Sequence, residues 1–91
     1  MQLAKANQKI SFVETERTEL PMTLLQAQEG KEYIIRAIET DDEELDAFLF
    51  SLGCYSGEPI TVVSRRSSGC VVSIKDGRYN IDNELAGAIV I

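Results

Sequence analysis

Gly30, Gly53, Gly57, Gly69, Gly77 and Gly87 punctuate the chain from residue 22 onward, leaving intervals that suit short strands, the pieces of a small barrel. Tyr33-Ile34-Ile35-Arg36-Ala37-Ile38 is β-branched and aromatic. Ile60-Thr61-Val62-Val63-Ser64-Arg65 follows Pro59, and Cys70-Val71-Val72-Ser73-Ile74 follows a glycine-containing turn. Asp76-Gly77 is a two-residue hairpin signal, because a type I′ turn needs positive φ and glycine supplies it. Arg78-Tyr79-Asn80-Ile81 is therefore expected as a fourth strand. Ala88-Ile89-Val90-Ile91, apolar and uncharged, is expected as a fifth, docked into the sheet. The expected class is mainly β: a small barrel of about five strands with one inserted α-helix and a short helical turn.

The inserted helix has the clearest local signature. Thr40 and Glu43 stand at capping-box spacing, and Asp41, Asp42, Glu43 and Glu44 fill a first turn where the positive end of the helix dipole favours them. Leu45, Phe48, Leu49 and Leu52 recur at i, i+3, i+4 and i+7 as one apolar stripe, and Gly53 supplies a left-handed stop, which predicts a helix over residues 41–52. Phe50 falls well off that stripe and is expected to look outward. A shorter helical turn is expected over residues 82–85, with Asp82 or Asn83 as its cap.

Ninety-one residues fit one small domain. No apolar run approaches the roughly 18 residues of a membrane span, and residues 1–8 lack the apolar region of a signal peptide, so a cytoplasmic protein with no direct membrane insertion is expected. The net charge of −6 opposes the phosphate attraction on which nucleic-acid binding depends. Histidine is absent, which removes the usual general base and the commonest transition-metal ligand, and no residue set supports an enzyme in its own right. Cys54 and Cys70 lack CxxC spacing and read as free thiols, so neither a structural metal nor a cofactor is expected.

Residues 1–21 differ in composition from the rest. Lys5, Lys9 and Arg17 balance Glu14, Glu16 and Glu19, so the whole charge deficit falls on residues 22–91. The segment reads either as a loosely ordered N-terminal extension or as an edge strand over residues 9–14, where Ile10 and Phe12 alternate with polar neighbours.

Three groups of residues could carry chemistry. Glu39, Asp41, Asp42, Glu43, Glu44 and Asp46 place six carboxylates in eight residues. They read as a solvated helix start, or as weak oxygen ligands for a hard cation, without EF-hand spacing. Arg65 and Arg66, with Ser67, Ser68 and Gly69, form either a solvated turn or a docking loop whose guanidinium forks suit carboxylate or phosphate. Phe50 and Tyr55 flank the helix stop and could present an exposed aromatic patch. The candidate partner-binding set is Phe50, Tyr55, Arg65 and Arg66.

Leu49, Leu52, Gly53 and Gly57 carry an L-x-x-L-G-x-x-x-G spacing. It lies between an apolar strand and Pro59-Ile60-Thr61-Val62, followed by a Ser/Gly loop, a hairpin and a closing Glu84-Leu85-Ala86-Gly87-Ala88-Ile89-Val90-Ile91. From residue 22 to 91 this order resembles the FeoA family of ferrous iron transport. The resemblance implies an SH3-like barrel and a non-enzymatic accessory role. Such a protein would dock on the cytoplasmic GTPase region of the membrane transporter, ferrous iron transport protein B, and modulate it. Two alternatives stay open. One is a stand-alone SH3-like interaction module related to the C-terminal domain of metal-dependent repressors. The other is a weak ferrous-metal carrier using the helix-start carboxylates. Association into a homo-oligomer is also left open.

Overall fold

The computed structural model describes residues 22–91, and the extension with its edge strand over residues 9–14 lies outside the described residues. The chain enters through a 3-10 turn, Leu24–Gln26. The Thr23 hydroxyl accepts the Leu25 N–H at 3.2 Å, and Gln26 Oε1 accepts the Thr23 N–H at 2.8 Å. Strands β1 (Glu32–Ile34) and β2 (Ala37–Ile38) precede helix α1 (Glu43–Leu52). Strands β3 (Pro59–Arg66), β4 (Gly69–Ile74) and β5 (Gly77–Asp82) form a meander. Helix α2 (Asn83–Ala88) and β6 (Ile89–Val90) complete the domain.

The four-stranded sheet runs β1-β3-β4-β5, every pair antiparallel, and β2 pairs antiparallel with β6 in a second, two-stranded sheet. The architecture is mainly β, as expected, with six strands in two sheets. The run 33–38, expected as one strand, is two. Ile35 N–H donates to the Glu58 carbonyl at 2.9 Å while Arg36 N–H donates to the Val90 carbonyl at 2.7 Å, so the chain changes sheets between these residues. A strand crossing from one sheet to another makes the corner of a small barrel. Irregular pairing between Val62 and Ser64 bends β3 in the same way.

Both helix starts are set by aspartates. Asp42 caps α1, its Oδ1 accepting the Glu44 and Leu45 N–H groups at 3.0 and 3.2 Å. Thr40, expected as the cap, instead accepts the Asp42 N–H at 3.0 Å, so the helix begins two residues later than expected. A carboxylate at the Ncap gains more from the helix dipole than a hydroxyl does, which favours the later start. Asp82 caps α2 through the Leu85 N–H at 2.8 Å. That helix extends through Ala88, which was expected in the last strand.

The β4–β5 hairpin forms with Ile74 opposite Gly77, leaving Lys75 and Asp76 as its two turn residues. Lys75, at φ 51°, carries the left-handed conformation expected of Gly77. Gly77 is instead the first residue of β5, where an added Cβ would collide with the Tyr79 ring.

Leu24, Ile35, Leu49, Ile60, Val62, Val72, Ile74 and Ile89 fill the barrel interior with the free thiol Cys54; Cys70, also a free thiol, is buried with them. From α1 only Leu49 is fully buried, while Leu45 and Leu52 are half-buried at the rim. Phe48, expected in the core stripe, is 48% exposed. The helix is turned so that Leu49 enters the barrel, which leaves Phe48 at the margin.

Candidate functional site

The helix stop explains the L-x-x-L-G-x-x-x-G spacing atom by atom. Cys54 N–H donates to the Leu49 carbonyl at 2.9 Å and Gly53 N–H to the Phe50 carbonyl at 3.0 Å, the two bonds of a Schellman motif. Gly53 takes φ 98°, which a β-carbon disfavours, and buried Leu49 and Cys54 supply the apolar contact that accompanies the motif. Four residues on, Gly57 takes φ 93° and its N–H donates to the Ile35 carbonyl at 2.8 Å. The loop is thereby tied to the barrel corner, and Tyr55 is held between two fixed glycines.

That turn brings Phe50 and Tyr55 together, with ring centroids 5.1 Å apart and planes tilted by 39°. Phe50 is 65% exposed, the most exposed large apolar side chain among the described residues, and it looks outward as expected. Lys75, at the tip of the β4–β5 hairpin, places its Nζ 5.1 Å from the Tyr55 ring centroid and donates to Glu58 Oε1 at 2.9 Å. The hydrogen bond to Glu58, and then one to Tyr55, pushes the Lys75 ammonium up from its ordinary value. Leu52, Gly77 and Tyr79 complete a shallow cleft around these groups. The face combines aromatic surface, which interface centres favour, with a cation held beside the Tyr55 ring.

The two arginines lie elsewhere. Arg65 is turned inward, its Nη2 donating to the Leu24 and Ala27 carbonyls at 2.7 and 2.8 Å, while its own backbone N–H donates to Glu29 Oε2 at 2.6 Å. The guanidinium satisfies carbonyls of the 3-10 turn and pins residues 24–29 onto β3, a structural task. Arg66 is exposed, and it borders a second cleft with Phe48, Cys70, Ile81 and Leu85 at the far end of β4 from Lys75. The expected set of Phe50, Tyr55, Arg65 and Arg66 therefore separates into one aromatic pair, one structural arginine and one arginine on another cleft. Lys75 and Tyr79 join the aromatic pair in its cleft. Their hairpin was legible in sequence, but its approach to the helix stop was not.

The remaining candidates show little convergent chemistry. Among the described residues no three His, Cys, Asp or Glu side chains converge as a metal-binding group. Burial pushes the Cys54 thiol up to about 11; Cys70 is also raised by burial, partly offset by Arg65. Among the described residues no helix is long and apolar enough to cross a membrane.

The fold and this surface define a small SH3-like barrel protein with a helix at the barrel mouth. A crystal structure described as iron uptake regulatory protein (FeoA) superposes with a TM-score of 0.69 at 24% identity, over 77% of this chain and 93% of that one. FeoA of Stenotrophomonas maltophilia, described as an SH3 domain protein complexed with zinc, gives 0.69 at 18%, covering 76% and 87%. A manganese-dependent transcriptional repressor gives 0.71 at 20%, covering 82% of this chain and 44% of that one. No curated protein matches in sequence. Residues 22–91 match the FeoA domain, and the chain belongs to the FeoA family, which is linked to ferrous iron transport.

Proposed function

We propose that this chain is a non-enzymatic, cytoplasmic accessory protein of ferrous iron uptake. In this reading it docks through the Phe50–Tyr55–Lys75 face on the cytoplasmic GTPase region of the membrane iron transporter and modulates that protein, reaching the inner membrane only through it. The observation that carries the reading is the family match across residues 22–91. The exposed Phe50 ring, backed by Tyr55, supports it, because a rigid aromatic on a fixed turn is the kind of anchor around which protein interfaces are built. The absence of histidine supports a binding role over a catalytic one. Likeness to the repressor is one of fold, and a chain of net charge −6 is poorly suited to DNA.

Titrating the full chain into the isolated GTPase domain of the transporter, with calorimetry as readout, tests the proposal. Saturable binding that Phe50→Ala weakens is expected. No binding with the GTPase domain nucleotide-free, GDP-bound or GTP-bound would overturn it.

A further inference from the structure

Strand β5 is the outermost strand of the four-stranded sheet, and its register against β4 determines which backbone groups face outward. Ile74 and Gly77 close a two-residue hairpin as a hydrogen-bonded pair. Gly77, Tyr79 and Ile81 therefore direct their N–H and C=O groups toward β4, and Arg78, Asn80 and Asp82 direct theirs away from the sheet. Among the described residues no hydrogen bond reaches the Arg78 or Asn80 backbone from that side. All three outward-facing residues are exposed. An open edge of this kind is a template for another strand.

The side chains along that edge specify which strand. Arg78 and Asp82 stand symmetrically about Asn80, a cation on one side and an anion on the other. Among the described residues Arg78 is in no ion pair, and Asp82 uses only Oδ1, for the Leu85 N–H. We propose that β5 pairs antiparallel with β5 of a second copy of this chain. Asn80 then lies opposite Asn80 on the two-fold axis, and each Arg78 faces the Asp82 of the other copy.

The pattern selects this register over its neighbours. Sliding one copy by two residues sets Arg78 against Asn80, or Asn80 against Asp82, and removes the opposite-charge pairs. Sliding by four sets Arg78 against Arg78 or Asp82 against Asp82, which like charges directly across a ladder disfavour. In the central register the two Asn80 residues exchange both backbone bonds, and each Asp82 N–H meets the Arg78 carbonyl across the axis. The contact is isologous, so it closes as a dimer with the β5 edge of both copies paired. Half-exposed Phe48, which borders a cleft with Asn80, Ile81 and Asp82, adds apolar surface beside the same edge. The inference rests on β5 alone and does not depend on the identity of the transporter partner.

Sedimentation of the full chain across a concentration series, with circular dichroism of each variant, tests the pairing. The parent chain is expected to show a concentration-dependent dimer. Asn80→Pro is expected to be monomeric with an unchanged spectrum, since the N–H it removes faces solvent in the single copy and proline is tolerated on such edges. Arg78→Asp, which sets carboxylates opposite one another, is expected to weaken the dimer by roughly tenfold or more, whereas Arg78→Lys retains it. If Asn80→Pro does not fold, Arg78→Asp decides. A parent chain that stays monomeric at its highest soluble concentration, or a dimer indifferent to Arg78→Asp, overturns the proposal.

Discussion

The Arg65 guanidinium donates to the Leu24 carbonyl at 2.7 Å, joining residues 41 positions apart. Leu24 is fully buried at the start of the 3-10 turn, and the same nitrogen reaches the Ala27 carbonyl. One side chain thus adds a second donor to the Leu24 carbonyl, which also accepts the Ala27 N–H at 3.2 Å, supplies one to the Ala27 carbonyl, and holds Leu24 in the barrel.

Adjacent arginines with such different surroundings should respond differently to truncation. Arg65→Ala is expected to destabilise the domain by about 1.5 to 3 kcal/mol, the range for hydrogen bonds from a charged group. Arg66→Ala, exposed and without such bonds among the described residues, should stay within about 0.5 kcal/mol of the parent. Urea denaturation midpoints of the two variants measure the difference, and equal midpoints would contradict the structural role of Arg65.

The helix stop offers a second contrast. Gly53→Ala and Gly57→Ala each force a β-carbon into a left-handed backbone, costing about 1 to 2 kcal/mol. Only at Gly53 would that carbon also press on Lys75 Cε and the Ile74 side chain, at 3.0 and 3.2 Å; at Gly57 nothing lies within 4 Å. Thermal denaturation should therefore rank Gly53→Ala below Gly57→Ala in stability. Leu49→Ala, which empties a fully buried site, should cost about 2 to 5 kcal/mol.

What was legible in the sequence follows how local the determining interaction is. Gly53 as helix stop, Asp82 as a cap and Phe50 as outward-facing each depend on neighbours within one or two turns, and the structure has all three. The cap of α1 was displaced because Thr40 and Asp42, two cap-competent residues, stand two positions apart, and both bond the backbone. The change of sheet between Ile35 and Arg36 leaves no mark in a continuous apolar run, since it depends on Glu58 and Val90 as partners. The inward turn of Arg65 and the approach of Lys75 to Tyr55 are likewise long-range, so basic and aromatic residues could be nominated from sequence but not grouped.

Alkaline conditions should loosen the fold in a defined window. Burial lifts the Cys54 thiol from 9.0 to about 11, and the hydrogen bond to Glu58 lifts Lys75 above its ordinary 10.5. In both cases the folded chain holds its proton more tightly than the unfolded chain. The stability tied to Cys54 is fully present below about pH 9 and is lost as pH rises through about 11, and that tied to Lys75 is lost only above its ordinary 10.5. Denaturation midpoints measured from pH 8 to 11 should fall across that interval, and Cys54→Ala should flatten the decline even though it lowers stability below about pH 9.

Removing divalent metal should leave the melting temperature unchanged. The interior is closed by aliphatic side chains and the two thiols Cys54 and Cys70, and histidine is absent. Calorimetric scans with and without chelator measure this directly. A large fall in melting temperature on chelation would show that an ion holds part of the fold together.

Phe50 should separate binding from stability. Its ring is 65% exposed, so truncation gives up little burial, and Leu49, not Phe50, anchors α1 in the core. Phe50→Ala is therefore expected to leave the urea midpoint within about 0.5 kcal/mol of the parent. Docking on the transporter's GTPase domain should nonetheless weaken by more than about 1 kcal/mol, as loss of an aromatic anchor does. Lys75→Ala removes a charge beside the same ring, and its effect on binding should shrink as salt is added, because an exposed cation acts mainly over distances that salt screens. A Phe50→Ala protein that folds and binds as tightly as the parent would move the docking face away from the helix stop, with the Arg66 and Phe48 cleft as the next place to test.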